Sequence, residues 1–367
     1  HHTTGLSTIE VASNNVEKMV NEFEKFFSEN KNNPKGEYKS YVISKSNSKD
    51  KLDDLKTWLD SNGIQHGTAN VTKTYRGLNY NTGKSEQAKV IKGDLVISAF
   101  QPKSVLVQVL FEPKTLLRDT LTYDLTAWAI PYVYGLEAYA IKGDVKANPN
   151  SKIDKSKTIK FTSDKPYAYI LPWKGIKDLR FLAYLFKNDI VARVSMESFS
   201  IDEKSYDPGT LVITRKGNEK KGIKFDDVIQ NGVKIFNRSL TPAFSGFVSK
   251  GKDFGSSSMK VVKRPKIGLV AGNAVRSYSF GEVWHFFERQ IEFPITVIDK
   301  NNFSSLPKHD YDVFILPSGN HSYIDNETRN ELRHWVRSGG RLIVMDSAMD
   351  RFVDQKGYGL KQFSNDD

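Results

Sequence analysis

Asp346 and Ser347 lie on a turn that directly follows the apolar run Leu342–Met345. A serine on a turn after a strand can act as a nucleophile if a histidine base lies within hydrogen-bond reach, backbone N–H groups stabilise the oxyanion, and small elbow residues permit the strained turn. The stretch 345–350 has no elbow glycine, and its two carboxylates oppose developing negative charge. Ser347 is therefore a candidate catalytic residue that its own surroundings disfavour.

A ligand cleft around this turn is the second possibility that the sequence offers. Ser318 and His321 follow another apolar run, Val313–Leu316. Open parallel sheets bind ligands in the crevice at the carboxyl ends of their strands. We therefore expect Ser318, His321, Asp346 and Ser347 to lie together around a cleft.

His285 and Glu288 form the pattern H-x-x-E, which places two side chains on one face of a helix. Carboxypeptidase A-type enzymes begin their zinc site with this pair and add a distant histidine and a catalytic glutamate. Here apolar residues on both sides of the pair indicate an amphipathic helix, and packing explains the pair better. Neither His321 nor His334 stands at clear ligand spacing from it. We expect no metal site in this chain, with His285 and Glu288 as the only candidates.

The composition limits the classes of protein to consider. The 367 residues include no cysteine, which excludes disulfides, thiolate metal sites and cysteine nucleophiles. No apolar run reaches the roughly 18 residues of a membrane-spanning helix, so no membrane span is expected. The net charge of +11 comes from Lys spread among Asp and Glu, a pattern that does not predict nucleic-acid binding. The longest basic cluster, Lys216–Lys224, is interpreted as a solvated loop.

An N-terminal helix is expected within residues 1–37. Apolar residues recur at helical spacing over Val16–Phe27. Ser13 and Asn14 are interpreted as the N-cap, and the chain from Asn32 as the end of the helix. The apolar stripe of this helix is expected to pack against the next domain.

Residues 38–258 are expected to form a duplicated α/β domain, with copies at about 38–115 and 165–245. Each copy has the pattern of a β-α-β-β-α unit, and five elements return in the same order. The matched apolar positions, 126 residues apart in both cases, are Leu59 with Leu185 and Ile64 with Ile190. Between the copies lies the aromatic segment Tyr123–Tyr139, which is interpreted as interdomain core or, alternatively, as a site for a sugar or peptide.

The remaining residues, 259–367, begin after the glycine- and serine-rich stretch 246–258. Buried strands alternate there with amphipathic helices, which predicts a Rossmann-like parallel sheet with helices on both faces. The turn after its first strand, 271–274, lacks both common glycine-rich phosphate-binding patterns. We interpret this turn as a tight strand-to-helix connection.

This last module resembles a class I glutamine amidotransferase-like domain. The resemblance rests on Tyr311–Gly319 and on Trp335–Ser347. That superfamily performs its chemistry with a thiolate on the turn after the strand that here is Arg341–Met345, where the chain has Asp346–Ala348 instead. The resemblance implies the fold without its nucleophile, as in a pseudoenzyme.

Nearly the whole chain resembles the region downstream of the peptidase domain in large bacterial zinc carboxypeptidase-family proteins. The phrases that carry this resemblance are 1–10, Leu121–Trp128, Pro208–Leu211, Gly281–Trp284 and Leu316–Gly319. The family's zinc ligands and catalytic glutamate belong to a preceding domain, so zinc is expected only there and no cofactor in this chain. The resemblance also implies an exported parent protein, in the periplasm or at the cell surface, and a final domain that is truncated here.

Two functions follow as hypotheses. The first is a non-catalytic accessory region of an exported zinc carboxypeptidase-like metallopeptidase, which supports the upstream peptidase domain or presents a peptide substrate to it. The second is a stand-alone hydrolase or small-molecule-binding protein that uses the cleft near Ser318, His321, Asp346 and Ser347.

Overall fold

The computed structural model describes residues 2–114, 129–149, 165–219 and 224–362 of the chain. The chain divides into two compact units, His1–Lys155 and Ser156–Asp367. Both units combine helices with sheets, and one of the sheets is parallel and four-stranded. The chain is therefore an α/β protein with several sheets.

The elements of the described residues are numbered in chain order. The helices are α1 (His2–Asn14), α2 (Val16–Asn32), α3 (Lys49–Ser61), α4 (Ser104–Phe111), α5 (Ile130–Val133), α6 (Ile176–Lys187), α7 (Phe225–Phe236), α8 (Ser277–His285), α9 (Lys300–Phe303) and α10 (Asn326–Arg337). The strands are β1 (Ser40–Ile43), β2 (Gly67–Ala69), β3 (Lys73–Asn79), β4 (Ser85–Val90), β5 (Leu95–Ser98), β6 (Ala138–Ile141), β7 (Ala147–Pro149), β8 (Ala168–Leu171), β9 (Arg193–Ser195), β10 (Phe199–Ile201), β11 (Lys204–Tyr206), β12 (Leu211–Thr214), β13 (Thr241–Ala243), β14 (Met259–Val261), β15 (Ile267–Ala271), β16 (Thr296–Asp299), β17 (Val313–Leu316) and β18 (Arg341–Val344).

The first unit is built on a seven-stranded antiparallel sheet in the order β4-β3-β6-β1-β5-β2-β7. Helices α3 and α4 cover one face, where Leu55, Leu59 and Val107 are fully buried against the sheet. The side chain of Ser48 accepts a hydrogen bond from the backbone N–H of Lys51 and so caps α3. Gly63 lies just past the helix end with a φ of +64°, the left-handed conformation in which glycine commonly ends a helix.

The N-terminal helix is present, but two expectations about it were wrong. Ser13 and Asn14 do not cap α2, because both belong to a preceding helix, α1. The apolar stripe of α2 was expected to pack against the next domain, but it is exposed: Met19 is 55% exposed and Phe23 is 67% exposed. The periodicity therefore predicted the helix correctly but not the surface that covers it.

The second unit begins with a five-stranded antiparallel sheet in the order β13-β8-β12-β9-β14. Helices α6 and α7 cover one face, where Phe181, Leu185 and Ile229 are fully buried. The hairpin of β10 and β11 covers the other face with Phe199 and Tyr206. The edge strand β14 pairs with β9, although it lies beyond residue 258.

The parallel sheet has the order β16-β15-β17-β18. Alternate residues of β17 face opposite sides, as the period of two requires. Phe314 and Leu316 pack against α10 and the C-terminal segment, whereas Val313 and Ile315 pack on the α8 side. The helix that follows β15 starts at Ser277 and continues from Phe286 to Gln290 as a π-helix.

Candidate cleft at the carboxyl ends of the parallel strands

A cleft of about 680 Å³ lies at the carboxyl ends of β15, β17 and β18. In the sheet, β15 has β16 on one side and β17 on the other. The strand order therefore reverses at β15. Open α/β sheets bind their ligands at such switch points. The residues that line the cleft are Asn273, Ala274, Val275, Arg276, Gly319, Asn320, His321, Ser347, Asp350 and Arg351.

The loops after β15 and β17 are joined by backbone hydrogen bonds. The N–H of Arg276 donates to the carbonyl of Ser318 at 2.8 Å, and the N–H of Asn320 donates to the carbonyl of Ala274 at 2.7 Å. Between them, Val275 and Gly319 form an antiparallel bridge. The two loops therefore make one continuous floor for the cleft.

Asp346 occupies the position at which the chain turns out of β18. Its φ is +48°, in the left-handed region that few residues other than glycine enter without strain. Its Oδ2 accepts a hydrogen bond from the Ser318 hydroxyl at 2.6 Å. That bond lowers the pKa of the Asp346 carboxyl, with further contributions from the Ser347 backbone N–H and from Arg276. Asp346 is therefore an anion at neutral pH.

Ser347 extends this arrangement into a directional chain of hydrogen bonds. Its Oγ lies 2.9 Å from Ser318 Oγ and accepts from the backbone N–H of Gly319 at 3.1 Å. Each hydroxyl has one proton, and the Ser318 proton is donated to Asp346, so Ser347 donates to Ser318. The order is Gly319 N–H, Ser347, Ser318, Asp346. The Gly319 N–H that could stabilise an oxyanion is thus already bonded to Ser347.

His321 lines the cleft but is fully buried, and both of its ring nitrogens have other partners. Its Nε2 donates to the carbonyl of Pro317 at 2.7 Å, and its Nδ1 accepts from the hydroxyl of Tyr323 at 2.7 Å. Burial lowers the pKa of His321, and the charge of Arg351 lowers it further. The ring is therefore neutral at pH 7, and neither nitrogen is available to take a proton from Ser347.

The sequence predicted four cleft residues, of which the structure joins Ser318, Asp346 and Ser347 by hydrogen bonds. Sequence reasoning missed Arg276 and Arg351, which bring two guanidinium groups to the cleft. Their proximity depends on the path of two loops, and no local motif contains them. The position of Arg276 just before α8, after the first strand of the sheet, was the one available signal.

His285 and Glu288 lie on either side of a change from α-helix to π-helix. His285 is the last residue of α8, Glu288 is in the π-helix that follows, and both side chains are exposed. Within the part of the chain that the structure describes, no three or more His, Cys, Asp or Glu side chains come together as a metal site.

Part of the predicted aromatic site, Tyr123–Trp128, lies outside the described residues, as does His1. In the described remainder, the Tyr132 ring meets the Tyr80 ring edge to face at 5.1 Å between centroids, and Tyr132 is 44% exposed. No helix within the described ranges is long and apolar enough to cross a membrane. No protein-family model, curated protein or solved structure matches the chain.

Proposed function

We propose that this chain is a non-catalytic accessory region of an exported zinc carboxypeptidase-like metallopeptidase, with a scaffolding or substrate-presenting role. The observation that carries the non-catalytic part is the hydrogen-bonded chain from Gly319 through Ser347 and Ser318 to Asp346. The carboxylate at its end is a weak base because its pKa is lowered. The one histidine of the cleft, His321, uses both nitrogens elsewhere.

The proposal includes an internal duplication of the α/β domain. In support, the strand orders β6-β1-β5-β2-β7 and β13-β8-β12-β9-β14 are equivalent, and every pairing in both is antiparallel. The registers also agree, since Tyr41 pairs with Ile97 as Tyr169 pairs with Ile213. Coincidence of order, direction and register is a stronger argument for common origin than the sequence pattern alone.

A buried amide supports the duplication independently. Gln101 accepts a hydrogen bond from the N–H of Gln65 at 2.7 Å and donates to the carbonyls of Gln65 at 2.9 Å and Ser98 at 2.7 Å. In the second sheet Asn218 accepts from the N–H of Val191 at 2.8 Å and donates to the carbonyls of Val191 at 3.0 Å and Thr214 at 2.8 Å. The backbone partners of the two amides also correspond in sequence. Gln65 and Val191 lie 126 residues apart, and Ser98 and Thr214 lie 116 residues apart.

The proposal treats the last module as a Rossmann-like, class I glutamine amidotransferase-like domain without its thiol. The strained backbone of Asp346 after β18 supports this, because a nucleophile elbow has its strained residue at that place. A carboxylate there opposes the oxyanion that acyl-transfer chemistry must stabilise. The fold would then serve as a scaffold whose cleft can still bind a ligand.

The remaining parts of the proposal rest on the sequence resemblance. Zinc would be bound by the upstream peptidase domain of the same polypeptide, which is also the main partner, with a peptide substrate as a second partner. The parent protein would act in the periplasm or at the cell surface. The absence of cysteine is compatible with either an oxidising or a reducing compartment.

The test compares this chain with its natural reading frame. We expect the frame to encode an upstream H-x-x-E with a later histidine and glutamate, and the full protein to release C-terminal amino acids only with zinc bound. The purified chain of 367 residues should show no such release with or without added zinc. A natural start near Thr3, or peptidase activity of this chain alone, would contradict the proposal.

The alternative is a hydrolase or small-molecule-binding protein that uses the cleft directly. The observation in its favour is the open cleft of about 680 Å³ next to a strained residue. Ester and amide substrates would then be turned over by the chain alone, and Ser347→Ala would abolish that turnover. Undiminished turnover in Ser347→Ala would remove Ser347 as the nucleophile.

A further inference from the structure

A second cavity, of about 660 Å³, lies in the second unit beside β9, β12 and β14. Its walls include Arg193 from β9, Thr214 from the end of β12, and Lys216 and Glu219 from the loop that follows. Phe254 and Met259 form an apolar wall and are buried in the core of the five-stranded sheet. This cavity is separate from the cleft of the parallel sheet and shares no lining residue with it.

Two cations face this cavity without a carboxylate partner. Arg193 is partly buried, and its Nη1 donates to Thr214 Oγ1 at 2.6 Å. Among the residues that the structure describes, neither Arg193 nor Lys216 forms an ion pair, whereas the neighbouring Arg215 is bonded to Asp226 through both of its terminal nitrogens. A partly buried guanidinium bonded only to a neutral hydroxyl leaves most of its hydrogen-bonding capacity unused.

A hydroxyl in the same wall also has no partner. The Oγ of Ser256 is buried, and no described residue forms a hydrogen bond with it. Buried polar groups almost always have a partner, so this hydroxyl is available to a group that binds beside it. The hydroxyl can donate to an anion that the two cations attract.

The net charge of the chain, +11, has the same sign as these two cations. Glu219 is the one acidic residue among the described residues of the wall, so Arg193 and Lys216 leave the wall with an excess of one positive charge. Lys216, the first residue of the predicted solvated loop, is exposed and lines the cavity.

We propose that this cavity binds an oxyanion group, a carboxylate or a phosphate, of a small molecule or of an acidic side chain. Arg193 supplies a planar guanidinium for two-point contact, Lys216 supplies a second positive charge, and Ser256 donates a hydrogen bond. Phe254 and Met259 accommodate an apolar part of the ligand. The site is independent of the accessory role proposed above and does not require an upstream domain.

Calorimetric titration of the whole chain tests this proposal, with inorganic phosphate in one arm and glutarate in the other, at low ionic strength. We expect saturable binding at one site, weakened roughly tenfold or more by Arg193→Gln or by Lys216→Ala, because each removes a charge-assisted contact. Lys234→Ala, an exposed lysine on α7, is the matched control and should leave binding unchanged. Ser256→Ala should weaken binding by a smaller factor.

The outcomes separate the possible ligands. Binding of phosphate alone assigns the site to a phosphate group, binding of glutarate alone assigns it to a carboxylate, and binding of both supports an oxyanion site that accepts either. If Arg193→Gln fails to fold, Lys216→Ala decides, because Lys216 is exposed and has no structural partner in the described chain. No binding of either anion, or equal weakening by Lys234→Ala and Lys216→Ala, would overturn the proposal.

Discussion

Gly319 lies directly against the backbone of Ala274: a Cβ added to Gly319 would stand 2.2 Å from the Ala274 carbonyl oxygen. This distance is far inside van der Waals contact, so only glycine allows the loops after β15 and β17 to join. The floor of the cleft therefore depends on the absence of one methyl group.

Gly319→Ala is expected to lower the free energy of unfolding by about 2 kcal/mol or more, because the added Cβ forces the two loops apart. Gly281→Ala is the matched control, since nothing lies within 4 Å of a Cβ at Gly281 and that residue is inside α8. Alanine there should be neutral or should stabilise the helix by up to about 1 kcal/mol. Urea unfolding of both variants measures the difference, and equal stabilities would contradict the close approach.

Removal of either buried amide side chain should lower the free energy of unfolding by a similar amount. Gln101→Ala and Asn218→Ala each leave a backbone N–H and two backbone carbonyls without that partner, which predicts a loss of about 3 kcal/mol in the free energy of unfolding. Gln87→Ala and Asn231→Ala are controls at exposed positions and should change stability by less than about 0.5 kcal/mol. A large loss for one amide and none for the other would remove the equivalence between the two sheets.

We expect Asp226 to stabilise the fold by an amount that is lost at acid pH. Arg215 donates to both of its carboxylate oxygens, at 2.9 and 2.8 Å, and the Tyr169 hydroxyl donates at 2.8 Å. The Arg215 hydrogen bonds, followed by that of Tyr169, lower the pKa of Asp226 below its ordinary value of 3.8. A carboxyl whose folded-state pKa is lowered stabilises the fold above its unfolded pKa, and this contribution is lost as the pH falls through the folded pKa.

The expected result is a loss of about 1–3 kcal/mol for Asp226→Asn at pH 7 relative to Asp227→Asn. Asp227 is a matched control because it lies in the same first turn of α7 but is exposed. Urea unfolding at pH 7, 5 and 3 should show the difference shrinking once the pH falls below 3.8. A difference that does not depend on pH would mean that the carboxylate charge has no role.

The Ser318 hydroxyl should set the titration of Asp346. Since its hydrogen bond is the largest cause of the lowered pKa, Ser318→Ala should move the pKa of Asp346 upward toward 3.8. Carbon-detected NMR of the Asp346 carboxyl during acid titration measures this directly. Ser305→Ala is a control for a hydroxyl that is not bonded to this carboxylate and should leave the titration unchanged. An unchanged pKa in Ser318→Ala would contradict the hydrogen-bonded chain.

Strong periodicity explains which elements could be predicted from the sequence. The apolar run Val313–Leu316 coincides with β17, and the helical spacing over Val16–Phe27 lies within α2. The hairpin of β3 and β4 was missed, because its strands are rich in exposed polar residues such as Lys73 and Lys89 and lie at the edge of the sheet. Ile64, which the sequence matches to Ile190, precedes its strand, because β2 starts at Gly67.

The sequence predicted where the candidate site lies, but not the hydrogen-bond partners and backbone conformation of its residues. The rule that ligands bind at the carboxyl ends of parallel strands brought Ser318, Asp346 and Ser347 into one group, and the hydrogen bonds agree. The partners of His321 depend on how the chain from Pro317 to Tyr323 folds back on itself, which no spacing rule expresses. The positive φ of Asp346 agrees with its residue type, because aspartate enters the left-handed region more readily than most residues, but no spacing rule indicates that it does so at this position.

The joined loops after β15 and β17 also couple two of the groups that act on Asp346. Their backbone hydrogen bonds tie Arg276 to Ser318 and Asn320 to Ala274. The Ser318 hydroxyl and the charge of Arg276 both lower the pKa of the Asp346 carboxyl. A substitution that displaces either loop should therefore shift both groups together and change the titration of Asp346 without touching that residue.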